Sequence, residues 1–412
     1  MIVTAAAYPL AQASESPTTR ERAAIGRMLS ARSSAVMSGN KGAFMSSVAR
    51  GSSAFRRQQA DLFDRMTKLP LASYALRAAW TRFGDLARRS DRSRYPEAEV
   101  VRIPLTEERY SLRGFDDPPI EEDLFYTLIQ EDGRWYVAGD SDLDDIGLQS
   151  ARHLWDFGPV SQSRSAHFLL LSHPCSAPIG CAQLPTGVLD LAERALARVD
   201  HLWREPWRHK IVILAPTTTA ELHRMLQATF DVNKFVAFAL AGTDVEHGLR
   251  FVGRRIILNW RTIANRTSES LLTILAHELT HVATRESAGP EIPTFVDEGI
   301  AEYVGYNADP ASLSYLRSVV RSGGFDGKLP ADYRFVTGSG SDIFLSYQKA
   351  ASAVRFFIDR WGLKRFIRFY QALGRQRVVA GTPRFHLEQA MRTTIGMTVS
   401  RFQKRWASTL RR

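Results

Sequence analysis

Cysteine is nearly absent from this chain: among 412 residues there are two, Cys175 and Cys181. Two thiols cannot build a disulfide framework or a four-cysteine zinc knuckle, so the fold must rest on a hydrophobic core. They stand close together in HPCSAPIGC, where the loop could close as one disulfide in an oxidising compartment or hold two free thiols. No run approaches the roughly 18 consecutive apolar residues that a membrane-spanning helix needs. Lysine is scarce beside arginine, and the formal net charge of +11 is scattered along every segment. Only RSDRSR at 89–94 and the closing KRWASTLRR gather basic residues, without the interleaved aromatics of a nucleic-acid surface. No nucleic-acid partner is therefore expected, whereas association with an anionic membrane or cell surface is compatible with the charge.

Residues 1–17 read as a leader. They carry a small apolar run ending in Ala-Gln-Ala, like the tail of a signal peptide but without its basic start. Remnant of a signal or anchor and Ala-rich disordered lead-in both fit; with the two cysteines, the leader favours an extracytoplasmic location.

The remaining composition, 44% hydrophobic and 10% aromatic, is that of a globular protein long enough for two or three domains. From Thr18 to about Arg92 the periodicity is helical, broken by Gly39, Gly51 and Pro70. Strands are expected at 98–110 and as a hairpin at 123–140 around Asp132-Gly133. A polar, irregular stretch near 140–165 places a boundary between a first domain, 18–150, and a second, 160–412, with a core expected to be self-contained. The second domain begins with strands at 167–174 and 209–216 flanking a helix at 187–203. A helix from Thr219 to Phe230, strands near 235–240 and 254–260, and then mostly helices follow. RIILN at 255–259 is the expected edge strand of that sheet.

The densest chemistry is HELTH at 277–281. It lies in LLTILAHELTHVA, where Leu271, Leu275, Leu279 and Val282 recur at helical spacing. At i and i+4, His277 and His281 share one helix face and can converge on one cation, with Glu278 placed to reach a bound water. FVDEGIAEY at 295–303 supplies the third ligand as Glu298, and Glu302, one turn on, is placed to receive the other ring N–H of His277. Two histidines and one glutamate leave a fourth position open, the ligand set of a catalytic rather than a structural zinc site. The residues taken singly could also be half-buried histidines and a solvated acidic face; their coincidence favours the metal.

HELTHVATR, TFVDEGIAEYV and SYQKAASAVRFFIDRWG (346–362) together resemble the gluzincin metallopeptidases, and within them the peptidase-MA-like proteins, over roughly the C-terminal 60% of the chain. The resemblance implies His277, His281 and Glu298 as Zn2+ ligands, Glu278 as base and a peptide or protein as substrate. It also implies a tyrosine or histidine donor opposite the metal, for which Tyr347 is the choice and Tyr303 and Tyr306 are alternatives. Asp297 departs from the family, which often has Ser or Asn there. The metzincin pattern is excluded because Thr284 and Ser287 stand where it needs glycine and a third histidine. The first domain, helices followed by curved strands, resembles nuclear-transport-factor-like or SnoaL-like domains, with no acid–base set of its own in the strands. The expected fold is α+β: a nuclear-transport-factor-like cone, then a sheet-and-helix lobe and a helical lobe of gluzincin type. The rival function is a catalytically silent binding or regulatory protein that keeps the metallopeptidase fold with a structural zinc.

Overall fold

The computed structural model of the chain describes residues 16–174, 187–244, 250–264, 266–287, 292–374 and 383–411. Both cysteines and most of the 1–17 leader lie outside the described residues. Thr18 and Glu21 form a capping box that starts helix Thr19–Ser38, and Gly39 ends it at φ 68°, a conformation glycine adopts without a Cβ clash. Helices Lys41–Met45 and Ser53–Met66 follow. The stretch expected to stay helical to Arg92 does not: Leu71–Ala78 is a strand, β1. Its burial lacks a clean two-residue period, and pairing with a neighbour along its length decides its conformation.

Five short strands complete the N-terminal half: β2 (Val100–Arg102), β3 (Thr106–Leu112), β4 (Ile120–Leu124), β5 (Thr127–Glu131) and β6 (Arg134–Gly139). They form two antiparallel three-stranded sheets, ordered β1-β3-β4 and β2-β5-β6. The run 98–110, expected as one strand, therefore divides between two sheets. The β5–β6 hairpin turns at Asp132 and Gly133, both at positive φ (51° and 69°), as a two-residue turn matching the strand twist requires.

A five-stranded sheet forms the centre of the molecule: β7 (Ser161–Arg164), β8 (Phe168–Ser172), β9 (Ile211–Ala215), β10 (Ala237–Asp244) and β11 (Arg250–Leu258), in the order β10-β11-β9-β8-β7. β7 falls in the stretch read from sequence as irregular. The inner pairs β8–β9 and β9–β11 are parallel, and helix Val188–Trp203 provides the crossover between the first two. FLLLS and IVILA are apolar almost throughout because both faces of this sheet are covered. Phe168, Leu170, Ile211, Ile213 and Ile256 turn toward the C-terminal helices. Leu169, Leu171, Val212, Leu214 and Ile257 turn the other way and share a core with Leu76, Tyr110, Leu128 and Val137. Burial of such a side chain is worth about 1.5–3 kcal/mol, so the expected self-contained core of 160–412 is corrected: the N-terminal half covers one face of its sheet. RIILN is corrected too. It belongs to β11, an inner strand, and the edges are β10 and β7.

The rest is helical: Ser268–Ser287, Thr294–Gly305, Ser314–Arg321, Gly340–Trp361, Leu363–Gly374, Pro383–Ile395 and Val399–Leu410. Among the described residues no helix is long and apolar enough to cross a membrane. The architecture is mixed α/β, small sheets in front of a helical lobe.

Candidate metal centre

Leu271, Leu275, Leu279 and Val282 are buried against the central sheet and its helices, which turns His277 and His281 of the same helix toward a cavity. Helix Thr294–Gly305 packs closely between this helix and Gly340–Trp361, with one glycine facing each. A Cβ on Gly305 would stand 3.1 Å from the Thr273 carbonyl oxygen and 3.3 Å from His277 Cβ. A Cβ on Gly299 would come within 2.7 Å of the Ala350 carbonyl oxygen, on the helix Gly340–Trp361 behind it. Lacking side chains, both positions let the backbones approach and carry Glu298 to the histidines.

His277 Nε2, His281 Nε2 and Glu298 Oε2 form a nearly equilateral triangle. The two nitrogens are 3.2 Å apart, and they lie 3.2 Å and 3.3 Å from the carboxylate oxygen. A tetrahedral zinc with bonds of about 2.0 Å separates its ligand atoms by roughly 3.3 Å, so the triangle matches one face of that coordination. Glu298 Oε2 is buried without a hydrogen-bond partner among the described residues, a cost that a cation at the triangle's centre removes. The donor set, two imidazoles and a carboxylate, suits the same ion. The far nitrogens face carboxylates: His277 Nδ1 is 3.1 Å from Glu302 Oε1, and His281 Nδ1 is 3.2 Å from Asp297 Oδ2.

This geometry concentrates negative charge around the rings. Burial alone lowers the pKa of His277, but Glu298 and Glu302 outweigh it and hold it well above the usual histidine value. Burial acts the same way on His281, and Asp297 and Glu298 raise it to about 9. Burial pushes Asp297 up, yet His281 brings it down to about 2, and Glu298 is likewise held well below the carboxylate range by the histidines despite its burial. A site this favourable to protonated imidazoles is favourable to a metal cation in their place.

Glu278 is buried, borders the cavity and makes no hydrogen bond among the described residues. Tyr347 borders it too, its ring 6.1 Å from the His277 ring and set edge-on to Phe335. Burial and the surrounding carboxylates, Glu298 first, raise its phenol well above the usual tyrosine value. Tyr303 and Tyr306 do not border the cavity. Sequence reasoning missed three participants. Asp297, noted only as a departure from the family, supports His281, and Tyr370 donates to its other oxygen at 2.6 Å. Arg285, one turn after His281, donates to the Ala239 carbonyl of β10 at 3.0 Å and ties the histidine helix to the edge strand. Position i+4 from His281 was a readable signal for Arg285; nothing local points to Tyr370.

The cavity, about 1300 Å³, extends from this centre past β10 to the N-terminal half, where Tyr110, Glu122, His153 and Trp155 form its opposite wall. No family model and no curated protein matches the sequence. Among solved structures the chain is similar to a mutant two-domain M1 zinc metallopeptidase bound to L-arginine, at 14% identity and a TM-score of 0.36. The match covers 62% of this chain and 52% of the other, so the chain spans about half the length of that neighbour. A superposition this loose assigns no role to any residue, and the metal-centre reading stands on side-chain geometry.

Proposed function

We propose that this chain is a zinc-dependent metallopeptidase, with His277, His281 and Glu298 as ligands and Glu278 as general base. The triangle of donor atoms, one corner of it a buried carboxylate oxygen that makes no hydrogen bond among the described residues, carries this reading. When bound at such a site, zinc acidifies a water and polarises the scissile carbonyl. Glu278 takes the proton of the attacking water and passes it to the leaving amine. Glu302 and Asp297 hold the rings so that the Nε2 lone pairs stay turned to the centre. The Tyr347 phenol, kept protonated, donates to the carbonyl oxygen as negative charge develops. An extended peptide fits the cavity along the edge strand β10, which offers backbone groups for pairing. The N-terminal half is read as nuclear-transport-factor-like, on its order of helices before antiparallel strands. A secreted or surface-held location belongs to the same reading, on the leader and cysteines.

The test is cleavage of a mixed peptide library by zinc-loaded protein. Glu278→Gln should keep its zinc while turnover falls by about two to four orders of magnitude. Tyr347→Phe should lower kcat by roughly ten- to a thousand-fold with KM and zinc content little changed. Zinc-loaded wild-type protein that cleaves nothing in the library contradicts the proposal and leaves a regulatory module with structural zinc.

A further inference from the structure

The wall facing the metal centre is built by β4, and its position is fixed by a close fit. β4 packs beside the β10–β11 hairpin, and Ile120 rests against Gly253, which sits at φ 67°. A Cβ on Gly253 would stand 2.6 Å from Ile120 Cγ1, so the glycine makes room for the strand. Two residues beyond Ile120, on the same face of the sheet, is Glu122.

Glu122 is directly opposite Glu108 across the β3–β4 pair, a juxtaposition of like charges that is unfavourable unless compensated. The compensation goes to Glu108 alone, which binds His153 Nε2 at 2.6 Å. The other acids of this wall are also matched: Glu107 with Arg77 at 2.5 Å, Asp123 with Arg82 at 3.1 Å, Glu121 with Arg109 at 3.7 Å. Among the described residues the side chain of Glu122 alone of these acids has neither hydrogen bond nor ion pair, and it borders the cavity. Burial raises its pKa, with Glu108 and Asp123 adding to the effect against His153 and Arg255, as expected of a carboxyl whose charge lacks a partner. The arginines bordering the same space are committed elsewhere, Arg152 to Asp140 and Arg255 to Asp116, both at 2.7 Å. A protein of net charge +11 thus encloses a cavity bordered by eight carboxylates and five guanidiniums. Leu226, Phe230, Phe238 and Leu240 supply apolar surface along the way.

We propose that Glu122 is the anchor of a second recognition site in this cavity, taking a cationic group of the substrate, a lysine or arginine side chain or a free α-ammonium. An apolar corridor ending in an unpaired carboxylate suits a cation on an aliphatic stem, which buries its methylenes and pairs its head. The N-terminal half thereby selects which peptides reach the metal. This inference rests on the peptidase reading for its substrate class, but binding can be measured without turnover.

The experiment uses full-length Glu278→Gln protein, zinc-loaded, titrated calorimetrically with alanine-based hexapeptides. One series carries a single lysine at successive positions, a second has norleucine in its place, and each is made with a free and an acetylated amino terminus. At least one lysine peptide should bind about tenfold or more tightly than its norleucine counterpart, or the free peptides than their acetylated forms, and Glu122→Gln should abolish the difference while Glu121→Gln preserves it. A preference for lysine over norleucine assigns the site to the side chain; a preference for free over acetylated peptides, the same with either residue, assigns it to the α-ammonium. Equal binding of lysine, norleucine, free and acetylated peptides by the unmodified Glu122 protein overturns the proposal without any variant, as does a preference that survives Glu122→Gln. Absence of hydrolysis by wild-type protein, with the charge preference intact, would refute the peptidase reading and leave the recognition site standing.

Discussion

His153 on one wall of the cavity and His277 and His281 on the other are largely buried histidines with carboxylates at hydrogen-bonding distance, and their surroundings differ. His153 points Nε2 straight at Glu108, 2.6 Å away, and stacks on Trp155 at 4.4 Å between ring centres. Its proton and charge are spoken for. His277 and His281 turn Nδ1 to Glu302 and Asp297 and bring both Nε2 atoms together with Glu298 Oε2. Two nitrogens 3.2 Å apart and a buried carboxylate oxygen without a hydrogen bond make a poor resting arrangement without a cation between them. The difference lies in which nitrogen the carboxylate takes. A carboxylate on the outer nitrogen orients a ligand, while one on the inner nitrogen consumes it.

Moving carboxylates sharpens this contrast. Glu302→Gln and Asp297→Asn should each weaken zinc affinity about 10- to 100-fold, read by competition with a chromophoric chelator. Glu108→Gln, which removes the partner of His153, should leave that affinity unchanged. Loss of affinity in Glu108→Gln of the same size would erase the distinction between the two groups.

A smaller effect comes from pH and has opposite consequences in the two places. Asp297 and Glu298 hold His281 protonated to about pH 9, so zinc must displace a proton and its affinity should climb as pH rises toward that value. Burial opposes the charge on His153, but Glu108 raises its pKa to about 9, above the value of about 6.5 expected when unfolded. The stability from that pair is fully present below about 6.5 and is lost as pH rises through about 9. Metal-free protein should therefore show a declining denaturation midpoint between those pH values, to which His281 contributes in the same direction, and Glu108→Gln should make the decline shallower. An unchanged alkaline slope in Glu108→Gln assigns the decline elsewhere.

The grouping of His277, His281 and Glu298 was legible because much of its geometry is local. Helical spacing alone places His277 with His281 and Glu298 with Glu302, and the leucines on the opposite face tell which way they turn. Asp297 was not legible as a partner of His281, because it sits off the Glu298–Glu302 face and reaches the ring through a helix crossing made close at Gly305. Strand order was hidden for a related reason: the apolar run Ile256, Ile257, Leu258 in RIILN reports two covered faces but not which strands lie beside it. β4, a charged segment reading IEEDL, gives no local sign that Glu122 faces the distant HELTH helix across one cavity. That fact is made by the fit of Ile120 on Gly253.

Zinc content tests the central claim most directly. Three proteins, each shown to be folded by circular dichroism, are dialysed against a mild chelator and assayed by atomic emission: wild type, His281→Ala with Glu298→Ala, and His153→Ala with Glu108→Ala. About one zinc per chain should remain in the wild type and in the His153 and Glu108 variant, and essentially none in the His281 and Glu298 variant. Full zinc in the His281 and Glu298 variant, or its loss on removing His153 and Glu108, would contradict the assignment.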